Sequence, residues 1–175
     1  SGEIDITLEI AKTPDRETFL YYPTEPTYIM VPSLTFLTTN KLKKITSIND
    51  IEGLTIGYLS GADAGPFFES STSIKFDTVS GKNWIKQNLA KLLSGRIDAA
   101  LDQNAHSYIA EAKLQGLAHL IKTIPLPGKG IGAYVVFSRK SPKGATLLEK
   151  YNMLMETGNY NEQKLIDEYL NLIKP

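Results

Sequence analysis

Two aspartates occupy the same local setting. Asp5 ends Gly2-Glu3-Ile4-Asp5, and Asp98 ends Gly95-Arg96-Ile97-Asp98. Paired carboxylates are the minimum equipment for general acid–base chemistry. Both, however, follow Gly-x-Ile where a helix passes into a strand, and there a short polar side chain commonly satisfies backbone donors. Asp102 and His106 stand at i, i+4, the spacing at which one helix face would offer both to a metal ion. No third ligand is near in sequence, and His119 is distant. The run Pro127-Gly128-Lys129-Gly130-Ile131-Gly132 precedes a strand rather than a helix, so it lacks the context of a phosphate cradle. The absence of cysteine removes a disulfide framework, a thiolate zinc site and a thiol nucleophile. Neither catalysis nor a metal nor any other cofactor is expected.

The elements around these residues alternate between strand and helix. Trp84, Ile85, Leu89, Leu92 and Leu93 recur at helical spacing. Gly95 stops that helix, because glycine accepts the positive φ that follows a last turn. Ile97 to Leu101 then reads as a short buried strand. The segment Ser1 to Leu8 echoes Ser94 to Leu101, with Ser, Gly, Ile, Asp and the final Leu in common. It has the glycine and the strand but no helix before them, so the reading is that residue 1 falls inside a domain. Thr13-Pro14-Asp15-Arg16-Glu17 reads as a helix start, with Thr as cap and Pro in the first turn. Thr27 to Thr38 reads as one extended stretch. Ser47 to Glu52 forms a helical turn closed by Gly53, and Pro66 to Ser70 begins a helix. Further strands are read at Leu54 to Leu59, Ile74 to Val79, Leu120 to Ile124 and Ala133 to Ser138. Helices are read at Gly81 to Leu93, Asn104 to Gln115, Pro142 to Glu156 and Glu162 to Ile173, the last two separated by Gly158-Asn159. Strands separated by helices predict open α/β sheets.

Composition narrows the partners. Nineteen basic residues balance nineteen acidic ones, which gives no basic stripe for nucleic acid and no attraction to an anionic membrane. The apolar share of 42% is ordinary for a globular domain. The most apolar run, Tyr28 to Leu37, is too short to span a bilayer and is broken by Pro32.

The order of four segments, GEIDI with TPDR, then SINDIEGLTIGYLSG, then LAKLLSGRIDAALD, then YNMLMETGNYNEQKLIDEYL, resembles the family-3 extracellular solute-binding proteins, which include the periplasmic receptors of amino-acid ABC transporters. The resemblance implies a type II periplasmic-binding-protein-like α/β fold of two lobes with doubly wound sheets. Residues 1–34 and 139–175 would be the remnant of lobe one with the chain crossing and the C-terminal helices. Residues 35–138 would be a complete lobe two. The absent part of lobe one would be two βα units, roughly 60 residues. Without it, the apolar faces of the remnant are expected to drive self-association, or to leave it disordered, and ligand binding is expected to be weak.

The same resemblance implies a site and a role. Arg16 matches the arginine that forks onto the ligand's α-carboxylate, a task suited to a planar guanidinium. Ala11 matches a position whose backbone N–H meets that carboxylate, and Glu9 stands where relatives often have a small or hydroxyl residue. Gly61, Ala62 and Asp63 lie just past the strand ending at Leu59, where open α/β sheets bind ligands. Asp63 takes the place of a Ser or Thr, and capping before Pro66 is its other reading. Gln103 stands where relatives carry the aspartate that holds the α-ammonium, with Asp102 one residue earlier. Tyr21, Tyr22 and Tyr28 surround the chain crossing, as cleft lining or as hinge packing. The implied role is capture of an amino acid or similar small carboxylate in the periplasm or outside the cell, after removal of a signal peptide from the precursor, and delivery to a membrane permease. A ligand-sensing module of a receptor or kinase is the alternative, and an enzyme on the same fold a more distant one.

Overall fold

The computed structural model describes residues 4–158 and 161–174, with the backbone alone at Glu9, Glu162 and Gln163. The opening of the Ser1–Leu8 echo, the Asn159 break and the direction of the Glu9 side chain lie outside the described residues. The chain divides into two units. The first comprises the residues up to Met30 with Gly130–Glu168, and the second Val31–Lys129 with the residues from Tyr169.

In the second unit the strands are β4 (Ser33–Leu37), β5 (Thr55–Leu59), β6 (Lys75–Val79), β7 (Ala99–Asp102) and β8 (Ile121–Pro125), in the order β6-β5-β7-β4-β8. β5 runs parallel to β6 and β7, while β4 is antiparallel to β7 and β8. Helices α2 (Trp84–Leu93) and α3 (His106–Leu114) complete the unit.

Strand alternation sorts its side chains into two cores. Leu34, Phe36, Ile56, Tyr58 and Leu101 pack together in one, and Ala100 joins Leu89, Leu92, Ile97, Tyr108 and Ala112 in the other. The α2 side is close because position 57 is glycine. A Cβ there would come within 2.5 Å of Ile97 Cδ1 and 2.8 Å of Asn88 Oδ1. Gly95, at φ +72°, ends α2 as expected. Its N–H donates to Leu92 O and that of Arg96 to Lys91 O.

Past that stop, Arg96 Nε reaches Asp77 Oδ2 at 2.9 Å, and Lys91 Nζ meets Asp77 Oδ1 at 2.8 Å. The hydrogen bond from Lys91, with a smaller one from Arg96, lowers the Asp77 pKa below its ordinary value. A carboxyl whose folded pKa is depressed stabilises the fold above its unfolded pKa, and that contribution is lost as pH falls through the folded value. Asp77→Asn is therefore expected to cost up to about 1 kcal/mol at neutral pH. Urea unfolding of both proteins should show the gap closing as the medium is acidified below the normal carboxylate range.

The first unit contains β1 (Ile6–Ala11), α1 (Pro14–Glu17), β2 (Leu20–Tyr21), β3 (Tyr28–Met30), β9 (Ile131–Ser138) and α4 (Gly144–Glu156). Helix α5 (Glu162–Leu172) begins here, and its last residues belong to the second unit. β9 is the central strand, antiparallel to β1, β2 and β3. Ala133, Val136 and Phe137 of β9 are buried, and the Phe137 ring packs on Tyr151 of α4 at 5.7 Å between centroids.

Two boundaries differ from the sequence reading. The complete lobe was expected over 35–138, but β9 pairs with β1, β2 and β3 in the first unit, which leaves Val31–Lys129, with the residues from Tyr169, to the second. The single extended stretch Thr27 to Thr38 divides at Pro32, which has no N–H for a ladder. β3 goes to the first sheet and β4 to the second. Alternating hydrophobicity marks strands but does not say which sheet receives them.

Candidate functional site

In the first unit the candidate residues gather at the end of β1. Thr13 is extended, and its Oγ1 accepts from Arg16 N at 3.4 Å, so it caps α1 as read. α1 is a single turn of four residues, too short for a strong dipole at its start. Arg16 is instead placed by a hydrogen bond from its Nη1 to Ala11 O at 3.0 Å. Tyr22 Oη donates to the same carbonyl at 3.1 Å.

Tyr22 packs edge-on against Tyr134, with ring centroids 5.3 Å apart, and Lys12 Nζ lies 5.6 Å from its ring. Lys12 is paired with Glu17 at 3.0 Å, and that hydrogen bond raises its pKa and keeps it charged. Partial burial raises the Tyr22 pKa, so its hydroxyl remains a donor to Ala11 O. Arg16 is exposed, with one N–H committed and the rest of the guanidinium fork open to solvent.

In the second unit Gly61, Ala62 and Asp63 form the turn that leaves β5. Gly61 has φ +76°, a left-handed conformation that disfavours any side chain. Asp63 Oδ1 accepts from Gly65 N at 2.8 Å, a local turn two residues long; the cap of the short helical turn at Pro66–Phe68 is Gly65, with no side-chain cap bond. Asp63 O accepts from Tyr58 Oη at 3.0 Å and from Gln103 Nε2 at 3.2 Å, and Gln103 Nε2 also donates to Tyr58 Oη at 3.1 Å. Tyr58, Asp63 and Gln103 thus join the ends of β5 and β7. Burial raises the Tyr58 pKa and keeps it a neutral donor. Sequence reasoning missed Tyr58; its signal was a polar aromatic one residue before the end of a strand that leads into the candidate loop.

Asp102 is 7% exposed, and alternation along β7 puts it on the face of Ala100. Gln103 alone of the two therefore sits beside the Gly61–Asp63 turn. Asp102 ends β7 and His106 begins α3, so they do not share one helix face as the i, i+4 spacing suggested. Among the described residues no three His, Asp or Glu side chains group closely enough to hold a metal ion.

The two echoing aspartates do structural work. Asp98 Oδ2 accepts from Thr55 N at 2.8 Å, and Asp5 Oδ1 accepts from Ser141 Oγ at 2.6 Å. Tyr21 stacks under Arg139, with Cζ 4.3 Å from the ring centroid. The glycine run 127–132 leads into β9, and Gly128 takes φ +125°. Among the described residues no helix is long and apolar enough to cross a membrane.

No protein-family model matches the chain, and no curated protein matches it. Solved structures do. The amino acid ABC transporter substrate-binding protein AbpA of Streptococcus pneumoniae, bound to L-arginine, superposes with TM-score 0.72 at 18% identity, covering 99% of this chain and 71% of that one. An ancestral cationic amino acid solute binding protein gives 0.69 at 18%, covering 97% and 70%. The periplasmic VFT2 domain of Bordetella pertussis BvgS gives 0.65 at 13%, covering 99% and 68%. At these identities the likeness establishes the fold alone: the chain shares the fold of these solute-binding proteins.

Proposed function

We propose that this chain binds a small carboxylate-bearing solute, an amino acid or a close analogue, and delivers it to an ABC transporter permease outside the cytoplasm. The observation that carries the reading is the arginine fork at Arg16. One of its N–H groups is anchored on Ala11 O, and the remainder is free to make the parallel bonds that a carboxylate accepts. Neighbours of the same fold that bind amino acids support the ligand class. Ala11, Gly61, Ala62, Asp63 and Gln103 are the further proposed contacts, with Tyr58 fixing Gln103. Capture is favoured over catalysis because the paired aspartates are already committed to Thr55 N and the Ser141 hydroxyl.

Gln103 is uncharged, so it gives an ammonium group a dipole and not an ion pair. Gln103→Asp is accordingly expected to raise affinity for an amino acid roughly tenfold relative to its deaminated analogue, the gain from one charge-assisted hydrogen bond. Calorimetric titration of both ligands into both proteins measures this. Equal changes for the two ligands would remove Gln103 from the site.

A further inference from the structure

The amide of Gln103 is held in one orientation by its neighbours in the second unit. Its Nε2 donates to Asp63 O at 3.2 Å and to Tyr58 Oη at 3.1 Å. Asp63 O is a backbone carbonyl and can only accept. Turning the amide over would set two acceptor oxygens against each other, so the chemistry fixes which end is nitrogen. The Tyr58 hydroxyl gives its one proton to the same carbonyl, at 3.0 Å, and towards Gln103 it therefore accepts. Tyr58 is 5% exposed, and its ring stands edge-on to Trp84 with centroids 6.2 Å apart. Packing on that scale keeps the hydroxyl in place. Both N–H groups of the Gln103 amide are thus in use. What the side chain has left to offer is Oε1, which can only accept. The residue is half-buried beside the Gly61–Asp63 turn.

We propose that the solute presents a hydrogen-bond donor to Gln103 Oε1, so that the site takes carboxylates with a hydroxyl or amino group on the adjacent carbon and rejects their α-oxo counterparts. This rests on the solute reading above, which sets Gln103 beside the substituent next to the carboxylate. A hydroxyl there keeps a hydrogen bond after leaving water. An oxo group meets a second acceptor and loses the water that donated to it. The hydroxy and oxo acids of one skeleton carry the same charge and nearly the same shape, so Arg16 offers both the same carboxylate contact. The difference between them falls on Gln103, and a site that pairs with a donor discriminates against the analogue lacking it.

The probes are lactate, pyruvate and alanine, with α-hydroxyglutarate, α-oxoglutarate and glutamate as a second skeleton, titrated calorimetrically. In the skeleton that binds, the hydroxy acid should bind about tenfold more tightly than the oxo acid. Gln103→Leu, similar in size, should remove that preference. Tyr58→Phe should shrink it, because one Nε2 proton becomes free to meet the oxo group. Circular dichroism checks that both variants fold. An oxo acid bound as tightly as its hydroxy partner, or a preference unchanged in both variants, would overturn the donor rule while leaving solute binding intact. Absence of saturable binding by all six acids would instead contradict the solute reading, and the donor rule would fall with it.

Discussion

Gly144→Ala should destabilise the protein by roughly 3 kcal/mol or more, the upper range for forcing atoms into a packed site. Gly144 opens α4, and a Cβ there would overlap the carbonyl oxygen of Ser138, at the end of the central strand β9. The obstacle is backbone, which cannot rotate aside as a side chain can. Relief requires α4 to move off β9, and that breaks the Phe137–Tyr151 packing and the hydrogen bond between Thr27 Oγ1 and Tyr151 Oη at 3.1 Å. Gly53→Ala is the comparison. Gly53 has φ +77°, but its missing Cβ would meet nothing within 4 Å, so that change carries only the conformational cost of about 1 kcal/mol. Urea denaturation followed by far-UV circular dichroism gives both values. A smaller loss at Gly144 than at Gly53 would mean that α4 does not seat against β9 as described.

Arg16→Lys should weaken solute binding by about 100-fold, with little change in stability. Lysine keeps the charge, but its ammonium is a point donor. It cannot hold Ala11 O and also present two parallel N–H groups to a carboxylate. Losing a bidentate charged contact is worth about 2–3 kcal/mol, or roughly two decades in Kd. Because Arg16 is exposed and its only described internal contacts are local, the melting temperature should hardly move. Calorimetric titration and thermal unfolding together separate the two effects.

The sequence was most legible where one residue type has one physical use. Thr13 before Pro14 announced a cap, Gly53 and Gly95 announced the ends of turns and helices, and all three behave so. Asp98 announced a backbone-satisfying carboxylate and is one. What sequence could not supply was the partner of each strand. Ala133 to Ser138 reads equally well in either sheet, and only its antiparallel pairing with β1, β2 and β3 assigns it to the first. The two-residue β2 is too short to leave a periodic signal. At the candidate site, Gln103 held the aligned position and Asp102 stood one residue earlier. A strand turns neighbours to opposite faces, so one is buried and the other meets the turn after β5. Tyr58 was overlooked because its role is set by Asp63 O and Gln103, five and forty-five residues away.

The most direct test of the solute-binding account is a titration followed by amide chemical shifts, using a panel of amino acids and their deaminated analogues. The account predicts saturable shifts for at least one carboxylate, concentrated at Ala11, Arg16, Ser60 to Ala64 and Gln103, and abolished in Arg16→Ala. Shifts confined instead to other surfaces, such as the concavity lined by Lys43, Lys44, Ile45 and Leu126, or binding that survives Arg16→Ala unchanged, would contradict it.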